Sequence, residues 1–255
     1  MSHNPSRQIL ALVDLDDTLF QTRPKCRPGD DLSPAAMSRE GEPLSFQGSH
    51  QRILLSLLLE KALVIPVTAR NMESFKRVHL NFTQGAILSY GAVILDPLGQ
   101  VDETWREIIW PKAKRDKQFL RSVLNLANSL VKKESLAARV RLVSDFGLDF
   151  YLMAKTEPDK LPELTFLATQ LAERFEAKVF LNGNNLAFLP GWLDKGVAAQ
   201  YFLDNHTPLP ARSSSERLIL GLGDSLADLG FLALCDYIMT PNQSQLAQLF
   251  GTTEK

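Results

Sequence analysis

Hydrophobic and polar positions alternate between two styles along the chain. Ile9 to Val13 is an unbroken apolar run that stops at Asp14. It predicts a strand of a parallel sheet, because such strands are buried on both faces and carry helices over each. From Phe20 to Ser49 prolines, glycines and mixed charges follow one another without a period, which predicts a long loop or flap over the strand's end. Ser49 can cap a helix with Ile53, Leu54, Leu57 and Leu58 inward, and that helix leads into a second strand, Leu63 to Val67. Pro66 fits that strand awkwardly, since it cannot donate to a ladder. Ala86 to Leu88 and Ala92 to Leu95 read as two more short strands, closed by the turn Asp96, Pro97, Leu98, Gly99.

The pattern then changes. Pro111 to Val131 predicts an amphipathic helix with Phe119, Val123, Leu126 and Leu130 inward. Val140 and Leu142 alternate with Arg139 and Arg141 in a half-exposed strand, and Leu148 to Ala154 returns beside it. A helix from Pro162 (Leu164, Leu167, Leu171, Phe175), a strand Ala177 to Leu181, an Asn182-Gly183 turn and a strand Leu186 to Leu189 repeat the order helix, strand, strand. After Pro190 the first style resumes with a helix Lys195 to Leu203, a buried strand Leu218 to Leu222 and a helix Leu226 to Leu234. The expected fold is α/β, a Rossmann-like parallel sheet core of residues 1–98 and 190–255 interrupted by an α+β cap domain of residues 99–189.

Composition narrows the partners. With 255 residues, 45% hydrophobic and 22% charged, the chain has the make-up of a folded globular protein of one or two domains rather than a disordered one. A formal net charge of -1 offers no field to draw it to nucleic acid or an anionic membrane. The basic run Lys112, Lys114, Arg115 and Lys117 reads as a solvated helix start. The most apolar stretch, Ile53 to Val67, is broken by Glu60, Lys61 and Pro66 before it reaches the roughly 20 residues of a membrane span. Cys26 and Cys235 are too few for a disulfide framework and Met1 to Arg7 has no apolar signal core, so the expected location is the cytoplasm.

Chemistry concentrates where the core strands end. Asp14, Asp16 and Asp17 follow the first strand, at the sheet edge where α/β proteins bind ligands, and in an extended segment Asp14 and Asp16 point the same way. Unscreened, two such carboxylates repel; a divalent cation would neutralise them. Asp224 and Asp228 follow the late strand through Gly221 and Gly223, four residues apart and within one turn of each other on a helical face. An all-oxygen set of this kind suits Mg²⁺ better than zinc. Turn and cap duty explains either cluster alone equally well. Thr68 closes the second strand, where its hydroxyl can donate to a phosphate oxygen, and Lys195 opens a core helix; each alone reads as an ordinary residue. The order acidic pair, Thr, Lys, acidic pair, each at the end of a core element, is what separates the two readings.

With these four segments, the chain resembles the haloacid dehalogenase-like superfamily of phosphohydrolases. The matching residues are Asp14 to Leu19 (D-x-D-x-T), Thr68 in Val-Thr-Ala-Arg, Lys195 in Asp-Lys-Gly-Val-Ala, and Gly223 to Asp228 (G-D-S-x-x-D). The position of the insert is similar to that in the subgroup holding the Cof-type and sucrose-phosphate phosphatases. The resemblance implies that Asp14 is the nucleophile forming an aspartyl phosphate and that Asp16 is the general acid and base. It also implies that Thr68 and Lys195 bind the transferring phosphate, and that Mg²⁺ is held by Asp14, the Asp16 backbone carbonyl, Asp224 and Asp228. The implied activity is hydrolysis of a small phosphorylated metabolite, a sugar phosphate first among them. Phosphosugar mutation, or a quiet metal-binding protein on the same fold, are the alternatives. The chain departs from the family pattern at Asp17 and Ala69, where Gly is common, and at Tyr90, where Asn usually precedes Gly91. The cap residues Arg139, Arg141, Lys178, Asn182 and Asn184 could read a substrate, but an exposed sheet face explains them better.

Overall fold

The computed structural model describes residues 8–207, 217–249 and 251. In chain order the elements are β1 (Gln8–Val13), β2 (Gln21–Thr22), β3 (Ser33–Met37), β4 (Pro43–Gln47), α1 (Ser49–Lys61), β5 (Leu63–Pro66), α2 (Met72–Phe75), β6 (Ala86–Leu88) and β7 (Val93–Leu95). Then come α3 (Glu103–Arg115), α4 (Lys117–Lys133), β8 (Arg139–Asp145), β9 (Leu148–Lys155), α5 (Leu161–Ala172), β10 (Lys178–Asn182) and β11 (Asn185–Leu189). The last are α6 (Lys195–Asn205), β12 (Arg217–Leu222), α7 (Leu229–Leu232), β13 (Tyr237–Met239) and α8 (Gln245–Leu249). They form two compact units, one from Glu103 to Asp194 and one from the segments on either side of it. The sequence pattern puts the boundaries near Gly99 and Pro190. Among the described residues no helix is long and apolar enough to cross a membrane.

The split unit is built on a four-stranded parallel sheet in the order β13-β12-β1-β5. Leu10 to Val13 are fully buried, as the unbroken apolar run requires of a strand covered on both faces. Ala11 and Val13 share one cluster with Leu55 and Leu58 of α1 and Leu222 of β12. Pro66 is accommodated because β5 ends the hydrogen-bonded ladder. The Val67 amide donates to Val13 at 2.9 Å, so the Pro66 nitrogen, one residue earlier, faces away from β1. Beyond β5 a bridge from Val67 to Ile87 brings in the β6-β7 hairpin.

Several expectations need correction. Residues 20–49 are not a structureless loop but a three-stranded antiparallel sheet, β2-β4-β3. Its Pro34 and Pro43 and its register shifts hide the strand period, and only Ala35, Ala36, Ser45, Phe46 and Gln47 are buried. Gly48, not Ser49, is the N-cap residue of α1, and the Gln51 side chain accepts from its amide at 3.0 Å. The inward face of α1 carries Gln51, Leu55 and Leu58, whereas Ile53 and Leu57 are exposed. The segment 226–234 is one turn of 3₁₀ helix, Leu226–Asp228, followed by the single turn α7, so Asp224 and Asp228 do not lie on one helical face.

The inserted unit is an antiparallel sheet in the order β10-β11-β9-β8, with α4 and α5 packed on one face. Val123, Ala127 and Leu130 of α4 meet Leu164, Leu167 and Leu171 of α5 over Leu152, Leu186 and Phe188. The expected helix from Pro111 to Val131 is two helices. The first runs through Pro111 from Glu103, and the chain breaks at Asp116, whose carboxylate accepts from Arg115 and from the Trp192 indole. The unit therefore reads helix, helix, strand, strand, helix, strand, strand, not the simple duplication, and the basic run lies across the junction of α3 and α4.

Candidate active site

β1 and β12 run in register to their ends, where the Asp14 amide donates to the Leu222 carbonyl at 2.8 Å. The acidic segments that follow each strand are thereby brought to one place. Asp14, Asp224 and Asp228 are all buried, and each offers a carboxylate oxygen within 4.8 Å of the others. Gly223 is needed for this approach, because a Cβ there would lie 2.8 Å from the Cβ of Asp228. The Asp228 carboxylate holds the loop together: its Oδ2 accepts from the amides of Asp224 (3.1 Å) and Ser225 (3.0 Å) and from the Ser225 hydroxyl (3.0 Å). It is the third residue of a capping box that begins at Ser225, so a cap and not a helical face brings it beside Asp224.

Lys195 enters at the first turn of α6. Gly196 presses against Gly230, where a Cβ would meet backbone carbon and oxygen at 2.5 Å, and this close approach seats the start of α6. The Lys195 ammonium donates to Asp14 Oδ1 and to Asp228 Oδ1, at 2.7 Å each, with 3% of its side chain exposed. Burial alone would discharge a lysine, but the two carboxylates overcome it and keep the ammonium protonated well beyond its ordinary range. Burial pushes the Asp14 carboxyl well above the usual carboxylate range; Lys195 opposes that, and the carboxylates of Asp228 and Asp224 add to it. Three carboxylates against this ammonium leave the cluster with excess negative charge. Its donors are oxygens, buried and close together, which fits a hard divalent cation such as Mg²⁺ better than a thiol- or imidazole-loving metal.

Thr68 follows the neighbouring strand end and is buried; its hydroxyl accepts from the Arg70 amide at 3.1 Å and its own amide donates to Ile87 at 2.8 Å. The Asp16 side chain stands apart from the buried cluster. It is about half exposed and accepts from Arg70 at both oxygens, Nε to Oδ2 and Nη2 to Oδ1, at 2.7 Å each. Arg70 is itself fixed by the Ser74 carbonyl at 3.2 Å and lies over the Phe20 ring at 5.1 Å. The sequence pattern noted Arg70 only as a neighbour of Thr68; its position two residues past a strand-end Thr was the available signal. Tyr90, visible in the sequence only as a departure, has its ring centroid 5.5 Å from the Lys195 ammonium. Asp17, where Gly is common, takes a left-handed φ of 63° and pairs with Lys25 at 2.5 Å.

Comparison with solved structures fixes the architecture. The sucrose-phosphatase of Synechocystis sp. PCC6803, in complex with sucrose and phosphate, superposes with a TM-score of 0.59 at 18% identity, over 96% of this chain and 87% of that one. The C-terminal domain of the C. albicans trehalose-6-phosphate phosphatase gives 0.55 at 16% identity, over 89% and 73%. A trehalose-6-phosphate phosphatase related protein gives 0.53 at 16%, over 91% and 85%. The chain shares the fold of these solved structures, a parallel-sheet α/β core with an inserted antiparallel unit. No family model matches the chain and no curated protein matches it in sequence. Within this fold, the four segments singled out in the sequence are the ends of β1, β5 and β12 and the start of α6.

Proposed function

We propose that the chain is a Mg²⁺-dependent phosphomonoester hydrolase acting on a small phosphorylated metabolite, a sugar phosphate, through an aspartyl phosphate on Asp14. The observation that carries this reading is the Lys195 ammonium at 2.7 Å from both Asp14 and Asp228, inside an acidic cluster completed by Asp224. Solved structures of the same fold that are named as phosphatases of phosphorylated disaccharides support it.

In this reading Asp14, Asp224 and Asp228, with the Asp16 backbone carbonyl, hold Mg²⁺. When bound, the ion would offset the repulsion between a carboxylate and an anionic phosphate ester. The Asp14 carboxylate attacks phosphorus, the bond from phosphorus to the ester oxygen breaks, and the departing oxygen takes a proton from Asp16. Asp16 then removes a proton from water, whose oxygen attacks phosphorus and releases inorganic phosphate, restoring Asp14. Thr68 and Lys195 donate to the transferring oxygens, so the work is positioning and charge stabilisation. Arg70 holds the Asp16 carboxylate beside the site; Asp16 leaves that ion pair and takes up a proton from solvent before it serves the leaving oxygen.

Release of phosphate from p-nitrophenyl phosphate in Mg²⁺ tests the assignment. The wild-type chain releases it, chelation by EDTA stops it, and Asp14→Asn lowers it by about 10⁴-fold or more, as expected when a covalent nucleophile is lost. Turnover by Asp14→Asn at the wild-type rate would refute the reading.

A further inference from the structure

Three consecutive residues beside the cluster are held in the left-handed region, Ser89 at φ 50°, Tyr90 at φ 56° and Gly91 at φ 96°. Glycine adopts this backbone at no cost and Asn at little, but a bulky aromatic residue does so against steric opposition. The turn persists because Thr68 to Arg70 hold it: the Ser89 amide donates to the Arg70 carbonyl at 2.8 Å and the Tyr90 amide to the Thr68 carbonyl at 3.2 Å. Strain kept in place by its surroundings marks a position where the side chain is needed. Here the side chain lies against the ammonium that pairs with Asp14 and Asp228. The Tyr90 ring centroid is 5.5 Å from Lys195 Nζ and that of Phe231 is 5.8 Å from it, both within the range of cation–π attraction.

We propose that Tyr90 is a positioning residue for Lys195: its ring, aimed by a strained left-handed turn, fixes the ammonium that grips the transferring phosphoryl group. This rests on the phosphohydrolase reading. Lys195 has four flexible side-chain bonds, and its two carboxylate partners are also the cluster that would hold the cation. When the cation draws on Asp14 and Asp228, the aromatic wall remains to keep the ammonium in place and shielded from water. Because the same backbone turn is bonded to Thr68 and Arg70, the ring also ties Lys195 to the segment that carries the second phosphate-binding residue and the partner of Asp16.

Two substitutions separate positioning from plain stability. Tyr90→Phe keeps the ring and retains kcat for p-nitrophenyl phosphate within about twofold, while Tyr90→Asn suits the backbone but removes the ring. For Tyr90→Asn the expected result is a melting temperature no lower than wild type, with kcat down about tenfold or more and KM changed far less. Wild-type kcat in Tyr90→Asn would overturn the proposal, as would an equal loss in Tyr90→Phe. Orthovanadate, a phosphoryl mimic, gives a readout that needs no turnover. With Mg²⁺ present it raises the melting temperature of the wild-type chain more than that of Tyr90→Asn, and equal shifts would overturn the proposal. Phosphate release that is the same in wild type and Asp14→Asn would count against the hydrolase reading instead, leaving the vanadate comparison to decide on Tyr90.

Discussion

Asp14 carries the sharpest conflict between stability and function. It is buried beside two other carboxylates, and its carboxyl is pushed upward by burial first and by Asp228 and Asp224 next, with Lys195 opposing. In the unfolded chain it ionises near the ordinary value of about 3.9, so at neutral pH folding without a cation forces an unfavourable charge into place. Asp14→Asn keeps an oxygen for Lys195 and removes that charge. Calorimetry at pH 7 in EDTA should therefore show Asp14→Asn melting a few degrees above wild type, and excess Mg²⁺ should raise the wild type and narrow the gap. A variant less stable than wild type in EDTA would show that the Lys195 pair outweighs the repulsion. Lys195→Met leaves the buried carboxylates without their ammonium and should destabilise the chain by about 3–5 kcal/mol, read from chemical denaturation.

At the scale of elements, the glycine contact at the start of α6 governs where Lys195 points. Gly196→Ala places a methyl group 2.5 Å from the backbone of Gly230, so α6 and α7 must separate, at a cost of about 1–3 kcal/mol. Activity should fall by more than that stability loss alone explains, because Lys195 moves with the helix. The two faces of α1 make a second test by denaturation. Leu58→Ala, in the core, should cost about 2–5 kcal/mol, whereas Leu57→Gln, on the exposed side, should stay within about 0.5 kcal/mol of wild type. That contrast also shows how far elements can be read from sequence. The strands β1, β5 and β12 were legible because burial on both faces leaves an unbroken apolar signature. α1 was legible as a helix but not in its facing, since apolar residues occupy nearly its whole circumference. The sheet of β2, β3 and β4 was hidden because prolines and small residues erase the alternation that marks a strand.

For the whole molecule, an insertion that leaves and re-enters the split unit should be removable if that unit folds on its own core. Its attachment points are both tied to α6: Lys195 begins the helix, and Asp102 accepts from His206 just past its end. The gap to bridge is therefore about 16 Å, the length of an 11-residue helix, which a flexible linker of about eight residues spans. Replacing residues 103–194 by such a linker should leave a single cooperative melting transition by calorimetry that still rises with Mg²⁺; a broad, non-cooperative transition would mean the two units share a folding core. The site was legible at this scale through segment order, because strand ends in a parallel sheet must meet at one edge. What the sequence could not carry was side-chain placement: the Asp16 carboxylate bound to Arg70, and the Tyr90 ring against Lys195, depend on turns whose backbone no residue pattern announces. The account depends on one covalent event. Wild-type chain mixed with Mg²⁺ and a phosphomonoester, quenched within a turnover and reduced with borohydride, should yield by peptide mass spectrometry a reduced aspartyl residue at Asp14; steady phosphate release with Asp14 unmodified, or with the modification at another carboxylate, would contradict it.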